Sequence, residues 1–434
     1  MRFPLLTYSQ SIQLLFGLER LGMKFGLEGI SRLLKELKNP HRKFPSVHIA
    51  GTNGKGSTAS MLAAILTAAG YKTGLYTSPH LVNFEERIRI GGKVIPRITI
   101  ATLTSRLQGS IKKHQPTFFE ATTAIAFAYF AEQEVDVAII ETGLGGRLDS
   151  TNVLRPLVSV ITNIGLEHTE ILGDSIEKIA FEKGGIVKGG TPCVTGIADT
   201  RALLVLKRIC RQNHAPLVLG TRYHARVRES NLNGMLLDFT LGKTSFKKLQ
   251  ISLAGQYQIG NLGVALATVQ TLKSVSQLAI DEEAIRAGLS AVQQMTGLSG
   301  RLTVIRENPL IIADVAHNSD AMRNLCDAWK RLKKEKPIVV FGVVKDKDYS
   351  SMVHDLARIA DQAVAVAAHT TRSRPASDVA AAFEREKCRT RAALSVEEGI
   401  RLAIQLSGND GTILVTGSHF VVGEAMAALG RKRP

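Results

Sequence analysis

Cysteine is scarce: Cys193, Cys210, Cys326 and Cys388 are the four in 434 residues, and they stand too far apart for a CxxC metal or redox motif. This excludes a disulfide-stapled secreted domain and fits a reducing compartment, where the four serve as small apolar side chains. Long apolar runs are missing too. The most apolar stretches, Ala121 to Ala131 and Val135 to Ile140, are interrupted by acidic residues well short of the ~20 residues a bilayer span requires. Near the amino end Tyr8, Ser9, Gln10, Ser11 and Gln13 break up any signal-peptide core, and no small-residue cleavage site follows. A cytoplasmic protein without membrane contact is the expectation. Acidic residues are in the minority, 38 against 55 basic ones, for a formal charge of +17. The basic residues are spread along the chain and dense only in Lys330 to Lys336 and in the Arg431, Lys432, Arg433 run. No RNA- or DNA-binding signature accompanies them, so the field is assigned to a nucleotide or a poly-acidic small substrate and not to nucleic acid.

What is present points to an α/β protein. A chain of this length divides into two or three domains at about 150 residues each, and two is the working count. The composition, 44% hydrophobic and 21% charged, is that of a globular protein. In the first half, apolar β-rich runs alternate with helical patterns, the signature of a mainly parallel sheet wrapped by helices. Ser46 to Ala50 reads as a strand, Ser57 to Ala69 as a helix and Lys72 to Thr77 as the next strand. Val135 to Glu141 and Leu157 to Thr162 are further buried strands, each leading into a polar, Gly-containing loop, where open α/β sheets hold ligands. From Pro216 to Ile251, short alternating strands with Asn and Gly turns predict a small antiparallel patch on the main sheet. After Gln293 a helix gives way to TGLSGR, which ends at Arg301 and reads as a linker. Beyond it, strands at Leu310 to Val315, Pro337 to Val343, Gln362 to Val366 and Thr412 to Thr416 alternate with helices. The fold class is therefore α/β: a P-loop-containing, mainly parallel sheet domain over 1–296, then a smaller Rossmann-like domain over 297–434.

The strongest local signal is GTNGKGS, Gly51 to Ser57, between a buried strand and an alanine-rich helix. Glycines let the backbone fold tightly, so that N–H groups and the helix N-terminus can face phosphate oxygens, with Lys55 adding a cation. The spacing departs from GxxxxGK[ST], and a tight strand-to-helix turn is the bland alternative. TSPHL, Thr77 to Leu81, follows the next strand and on its own reads as a turn. In ETGLGGRLDSTN, Glu141 to Asn152, a carboxylate ends a buried strand, which asks for a partner. A hard cation bound beside phosphates is one such partner, and a salt bridge to Arg147 is the other. His168 in NIGLEHTEILG and Lys183 in IAFEKGGIVK would each, taken alone, be an ordinary histidine and a solvated helix lysine.

Taken together and in order, these segments resemble the folylpolyglutamate synthase and dihydrofolate synthase family, within the ATP-dependent Mur ligases. The likeness runs through GTNGKGS, TSPHL, FFEATT, ETGLGGRLDSTN, IGLEHTEILG, IAFEKGGIVK, AGQYQIGN, GRL, DVAHN and TGSHFVVGE, nearly the whole chain. The resemblance implies that Asn53, Gly54, Lys55, Gly56 and Ser57 cradle ATP phosphates, and that Asn261, Arg301 and Asp314 contact the nucleotide. It implies Mg²⁺ at Ser78, Glu141 and His168, with Lys183 carbamylated beside the metals and Lys55, Lys183 and His168 acting in catalysis. Phe118, Phe119 and Glu120 resemble part of a pterin pocket, and His317 and Ser418 the region that handles the incoming glutamate. Three departures stand out: Ser319 where the family usually has proline, Gly185 where it has alanine, and His419 in place of a bulkier apolar residue.

The implied reaction follows from chemistry. A carboxylate oxygen is a hopeless leaving group, so ATP must first convert it to an acyl phosphate, which the amine of L-glutamate then opens. Dihydropteroate and reduced folates are the implied acceptors of a bifunctional enzyme, with a monofunctional folylpolyglutamate synthase as the alternative and a monomer as the expected state. Three rivals fit less well. A cell-wall Mur ligase needs a UDP-sugar domain, and 50 residues before Gly51 are too few for one. A dinucleotide oxidoreductase needs a GxGxxG turn, absent after the strands near Leu310 and Pro337. A basic binding protein leaves the acid, histidine and lysine constellation unexplained.

Overall fold

The computed structural model describes residues 5–22, 24, 26–333 and 335–430. The Arg431 to Arg433 run, and Lys334 within the other basic cluster, lie outside the described residues. The main sheet contains β1 (Ser46–Ala50), β2 (Thr73–Tyr76), β3 (Ile88–Ile90), β4 (Lys93–Val94), β5 (Val137–Glu141), β6 (Val158–Ile161), β7 (Cys193–Thr195) and β8 (Leu217–Leu219). Their spatial order is β4-β3-β2-β5-β1-β6-β7-β8, parallel from β2 to β8, with β3 and β4 as an antiparallel edge. All residues of β1 and β5 are buried because helices cover both faces of the sheet. Alternate side chains separate the two cores: Val47, Ile49, Val137 and Ile139 pack with the helix Lys55–Ala68, while Ala138 and Ile140 pack with the helix Phe118–Glu132. The four cysteines are buried thiols without disulfides.

The antiparallel region differs from expectation. β8 pairs in parallel with β7 at the edge of the main sheet, but β9 (Tyr223–Asn231), β10 (Gly234–Leu241) and β11 (Thr244–Ile251) form a separate sheet in the order β11-β10-β9. Its apolar face, with Leu237, Phe239 and Leu249, joins the core under the helix Tyr257–Val275, and this burial replaces pairing with the main sheet.

The third sheet comprises β12 (Thr303–Arg306), β13 (Leu310–Ala313), β14 (Ile338–Phe341), β15 (Gln362–Ala365), β16 (Arg389–Ala392) and β17 (Thr412–Thr416). Its order is β12-β13-β17-β14-β15-β16, and only β12 runs antiparallel. This is parallel α/β layering as read from the sequence, but not the 3-2-1-4-5-6 order of dinucleotide-binding sheets. β12 and β16 were not foreseen. They are edge strands, and the exposed, charged RTRA of β16 carries no apolar pattern. Between the bodies, Gly300 takes φ +71°, and a Cβ there would sit 2.7 Å from Val315 Cγ1, so the linker turn demands glycine.

Candidate functional site

β1, β2, β5 and β6 lie side by side, so the loops at their carboxyl ends converge on one edge of the main sheet. After β1, Gly54 at φ +81° opens the helix Lys55–Ala68, and no side chain caps that helix, leaving its first N–H groups for an anion. A Cβ on Gly54 would lie 2.2 Å from Asn261 Oδ1. A Cβ on Gly56 would lie 3.7 Å from Glu141 Oε2 and 3.8 Å from Arg301 Nη2, so the space above Gly56 is bounded by a carboxylate and a guanidinium from opposite sides of the linker. Lys55 Nζ donates to the Gly51 and Thr52 carbonyls at 3.1 and 3.2 Å. Asn53 N–H donates to Asn163 Oδ1 at 2.7 Å, and Ser57 is buried in the first helical turn.

Glu141 ends β5 beside the loop after β2, and Ser78 N–H donates to its Oε2 at 3.2 Å. Arg147 is not its counter-ion, because Arg147 pairs with Glu182 at 2.8 Å. Burial raises the Glu141 carboxyl, opposed by the charges of Lys55, Arg301 and Arg87. His168 follows β6 in a left-handed conformation, φ +51°. Burial, then the positive charge of Lys347, lowers its imidazole to about 4, so it is neutral and free to act as a ligand. Lys183 is buried on the helix Ile176–Gly184 and donates to the Gly51 carbonyl at 2.9 Å. Burial, then the Lys55 charge, lowers its amine to about 7. Among the described residues, no three His, Cys, Asp or Glu side chains cluster as a self-sufficient metal cage. Ser78 and Glu141 line one pocket, whereas His168 lines another with Asn318 and Lys347; a cation such as Mg²⁺ takes few protein ligands and completes its shell with phosphate and water.

The second body contributes the other wall. Glu141, Ser78, Gly56, Arg301 and His419 line one pocket. Arg301 Nη1 donates to the Gly300 carbonyl at 2.9 Å, and Asn261 Nδ2 to Gln258 Oε1 at 2.8 Å. Both Asp314 oxygens are already engaged: Oδ2 accepts from Leu302 N–H at 2.9 Å and Tyr257 O–H at 3.2 Å, and Oδ1 from Ala316 N–H at 2.9 Å. Ser418 Oγ caps the helix His419–Ala428 by accepting from Val421 N–H at 3.1 Å. His317 Nδ1 lies 2.8 Å from the Val315 carbonyl, and its ring is 5.0 Å from that of His419. His419 is pushed well below the usual imidazole range by burial, then by the charges of His317 and Arg301.

The aromatic residues gather beside this pocket. Phe118 stacks on Phe16 at 5.4 Å, with the Arg87 guanidinium 5.1 Å from its centroid, and Phe119 lies 6.0 Å from Tyr76. Glu120 is different: its Oε2 accepts from Thr117 N–H at 2.7 Å in a buried capping box. The structure thus gives Glu120 a helix-starting role. One residue that the sequence reading missed is Glu167. It is buried, with Oε1 3.0 Å from His317 Nε2, 3.0 Å from Lys347 Nζ and 3.2 Å from Asn318 Nδ2. Burial would raise its carboxyl, but the hydrogen bond and charge of His317, with Lys347, pull it well below the carboxylate range. Its place next to His168 was the one available signal.

Residues 49–269 match the Mur ligase middle domain and residues 300–419 the Mur ligase glutamate ligase domain, which makes the chain a Mur-type ligase. It is 36% identical over 365 residues to the dihydrofolate synthase/folylpolyglutamate synthase of Bacillus subtilis, covering 82% of this chain and 84% of that protein. The structure of Escherichia coli FolC in complex with DHPP and ADP superposes with a TM-score of 0.87 at 29% identity, covering 99% of this chain and 100% of that one. The bifunctional folylpolyglutamate synthase/dihydrofolate synthase of Yersinia pestis, complexed with AMPPNP and Mn ion, gives 0.85 at 31% identity over 98% of both chains. The chain belongs to the folylpolyglutamate synthase/dihydrofolate synthase family.

Proposed function

We propose that this protein is an ATP-dependent, amide-bond-forming ligase that joins L-glutamate to dihydropteroate, giving dihydrofolate, and to reduced folates, giving folylpolyglutamates. The observation that carries the reading is the meeting of Glu141, Lys55 and Arg301 around Gly56, at an uncapped helix N-terminus. That arrangement suits a nucleotide triphosphate with its metal and little else.

In this reading Asn53 to Ser57 cradle the phosphates, and Asn261, Arg301 and Asp314 contact the nucleotide, with Asp314 holding the backbone around Arg301. Ser78, Glu141 and His168 hold Mg²⁺, which when bound neutralises phosphate charge. Lys183, whose amine is lowered to about 7, would attack the carbon of CO₂ as a neutral amine and release one N–H proton to solvent, giving a carbamate anion that would face the bound cation. An acceptor carboxylate oxygen attacks the γ-phosphorus and ADP leaves, forming an acyl phosphate while Lys55 stabilises the transferring charge. The deprotonated amine of L-glutamate attacks the acyl carbon, phosphate leaves, and the amide nitrogen loses its extra proton. The second body, which carries Arg301, His317 and Ser418 against the P-loop edge, keeps water from the acyl phosphate.

The Phe16, Phe118 and Phe119 surface is the place for a flat pterin ring, and this supports acceptance of both dihydropteroate and reduced folates. The two functional units are taken as 1–296 and 297–434, and the protein as a cytoplasmic monomer. Among the described residues no helix is long and apolar enough to cross a membrane. The test incubates the protein with Mg-ATP and L-glutamate plus dihydropteroate or tetrahydrofolate, and follows phosphate release and product mass, with Lys55→Ala as control. Turnover with both acceptors is expected. Turnover with tetrahydrofolate alone makes the enzyme monofunctional, and ATP binding without stimulation by either acceptor overturns the folate assignment.

A further inference from the structure

Glu167 projects from the loop after β6 of the main sheet, yet each of its side-chain donors belongs to the other body. His317 and Asn318 come from the loop after β13, and Lys347 from the loop after β14. All three reach one carboxylate oxygen, at 3.0, 3.2 and 3.0 Å in that order. The Glu167 and Lys347 side chains are 7% and 9% exposed, so this is a desolvated ion pair and not a surface one. A second strand of contacts runs alongside: Asn318 Nδ2 donates to Asn53 Oδ1 at 3.0 Å, and Asn53 Nδ2 to Asn318 Oδ1 at 3.3 Å. At Gly165 the two bodies come so close that a Cβ would be 3.1 Å from Asp320 Oδ2.

We infer that Glu167 is the clasp that docks the second body onto the P-loop edge, a positioning residue for the proposed reaction. A carboxylate stripped of water is stable only while its donors stay in place, so the two bodies share one docked position instead of sliding on each other. Because Glu167 is bonded directly to His168 in sequence, docking also sets the backbone that aims the imidazole. Arg301, His317 and Ser418 reach the P-loop edge through the same docked position. This inference rests on the ligase reading for its catalytic consequence, but the docking itself does not.

The test compares wild type with Glu167→Gln, Lys347→Met, Lys347→Arg and the Glu167→Gln/Lys347→Met pair, without substrates, by small-angle scattering and amide exchange. Glu167→Gln and Lys347→Met are each expected to enlarge the radius of gyration and to speed exchange in 163–169 and 315–320 together, leaving the β9 to β11 sheet unchanged. The pair moves no further than either alone, and Lys347→Arg keeps the wild-type profile. In turnover assays kcat falls on the order of 100-fold in both singles. Unchanged scattering and exchange in Glu167→Gln, or additive shifts in the pair, overturns the clasp whatever the activity assay shows. If Glu167→Gln does not fold, Lys347→Met and Asn318→Ala carry the same comparison.

Discussion

Lys55 and Lys183 donate to the same acceptor, the carbonyl of Gly51, at 3.1 and 2.9 Å. Two ammonium groups cannot share one carbonyl comfortably, and the more deeply buried of the pair yields its proton. Lys183 accordingly sits at about 7, by burial first and the Lys55 charge second. Carbamate formation needs a neutral amine. With ¹³C-labelled bicarbonate, a carbamate resonance is therefore expected in the wild type, growing from pH 6 to pH 8 and absent in Lys183→Arg. Its absence at pH 8 in the wild type would sink the modification.

The same lysine leaves a mark on stability. Its amine is lowered to about 7 in the folded protein against an ordinary 10.5, so across that window the unfolded chain binds more protons than the native one. Stability gained from this group therefore rises with pH from about 7 towards 10.5, and below about 7 its burial penalty is fully present. In CO₂-free buffer the slope approaches, at most, about 1.4 kcal/mol per pH unit. Urea titrations of wild type and Lys183→Met from pH 7 to 10 check this, the variant losing the rise. Parallel curves for the two proteins would show that Lys183 does not titrate in that window.

Glu120 and Phe118 stand two residues apart, and the structure divides their roles. Glu120→Ala removes the buried acceptor for Thr117 N–H and is expected to cost about 1 kcal/mol of stability, the usual worth of such a cap, with KM little changed. Phe118→Ala removes the ring stacked on Phe16 and is expected to raise KM for dihydropteroate and reduced folate about tenfold, on the order of 1.4 kcal/mol, with KM for ATP unchanged. Thermal unfolding and steady-state kinetics on both variants decide the matter. A KM defect in Glu120→Ala without a fall in melting temperature would return Glu120 to the substrate.

Strands buried on both faces were legible because they write a continuous apolar run: β1 stands where Ser46 to Ala50 was read, and β5 and β6 lie within their expected spans. The edge strands β12 and β16 were not, because a strand with one side in water has no such run to show. The glycine-rich turn before the helix Lys55–Ala68 and the carboxylate of Glu141 were legible from glycines and from an acid at a strand end, whereas His168 stood out only through the family resemblance. Glu167 was hidden for a plain reason. Its partners His317, Asn318 and Lys347 lie 150 to 180 residues away, and apart from its place next to His168 nothing local marks a glutamate whose charge is satisfied by the other body.

Gly54 separates backbone strain from crowding. At φ +81° an alanine would cost on the order of 1 kcal/mol by conformation alone, and its Cβ would also meet Asn261 Oδ1 at 2.2 Å. Gly54→Ala is therefore expected to lose more stability than the conformational share, and Asn261→Ala in the same chain should recover the excess by vacating the contact. Nucleotide affinity should not recover, because the double variant still lacks the Asn261 amide and still distorts the helix N-terminus that faces the phosphates. Urea unfolding of wild type, both single variants and the double one closes the cycle, with ATP binding by calorimetry alongside. Strictly additive losses would mean that the two residues do not meet, and recovered ATP affinity would remove Asn261 from the nucleotide site.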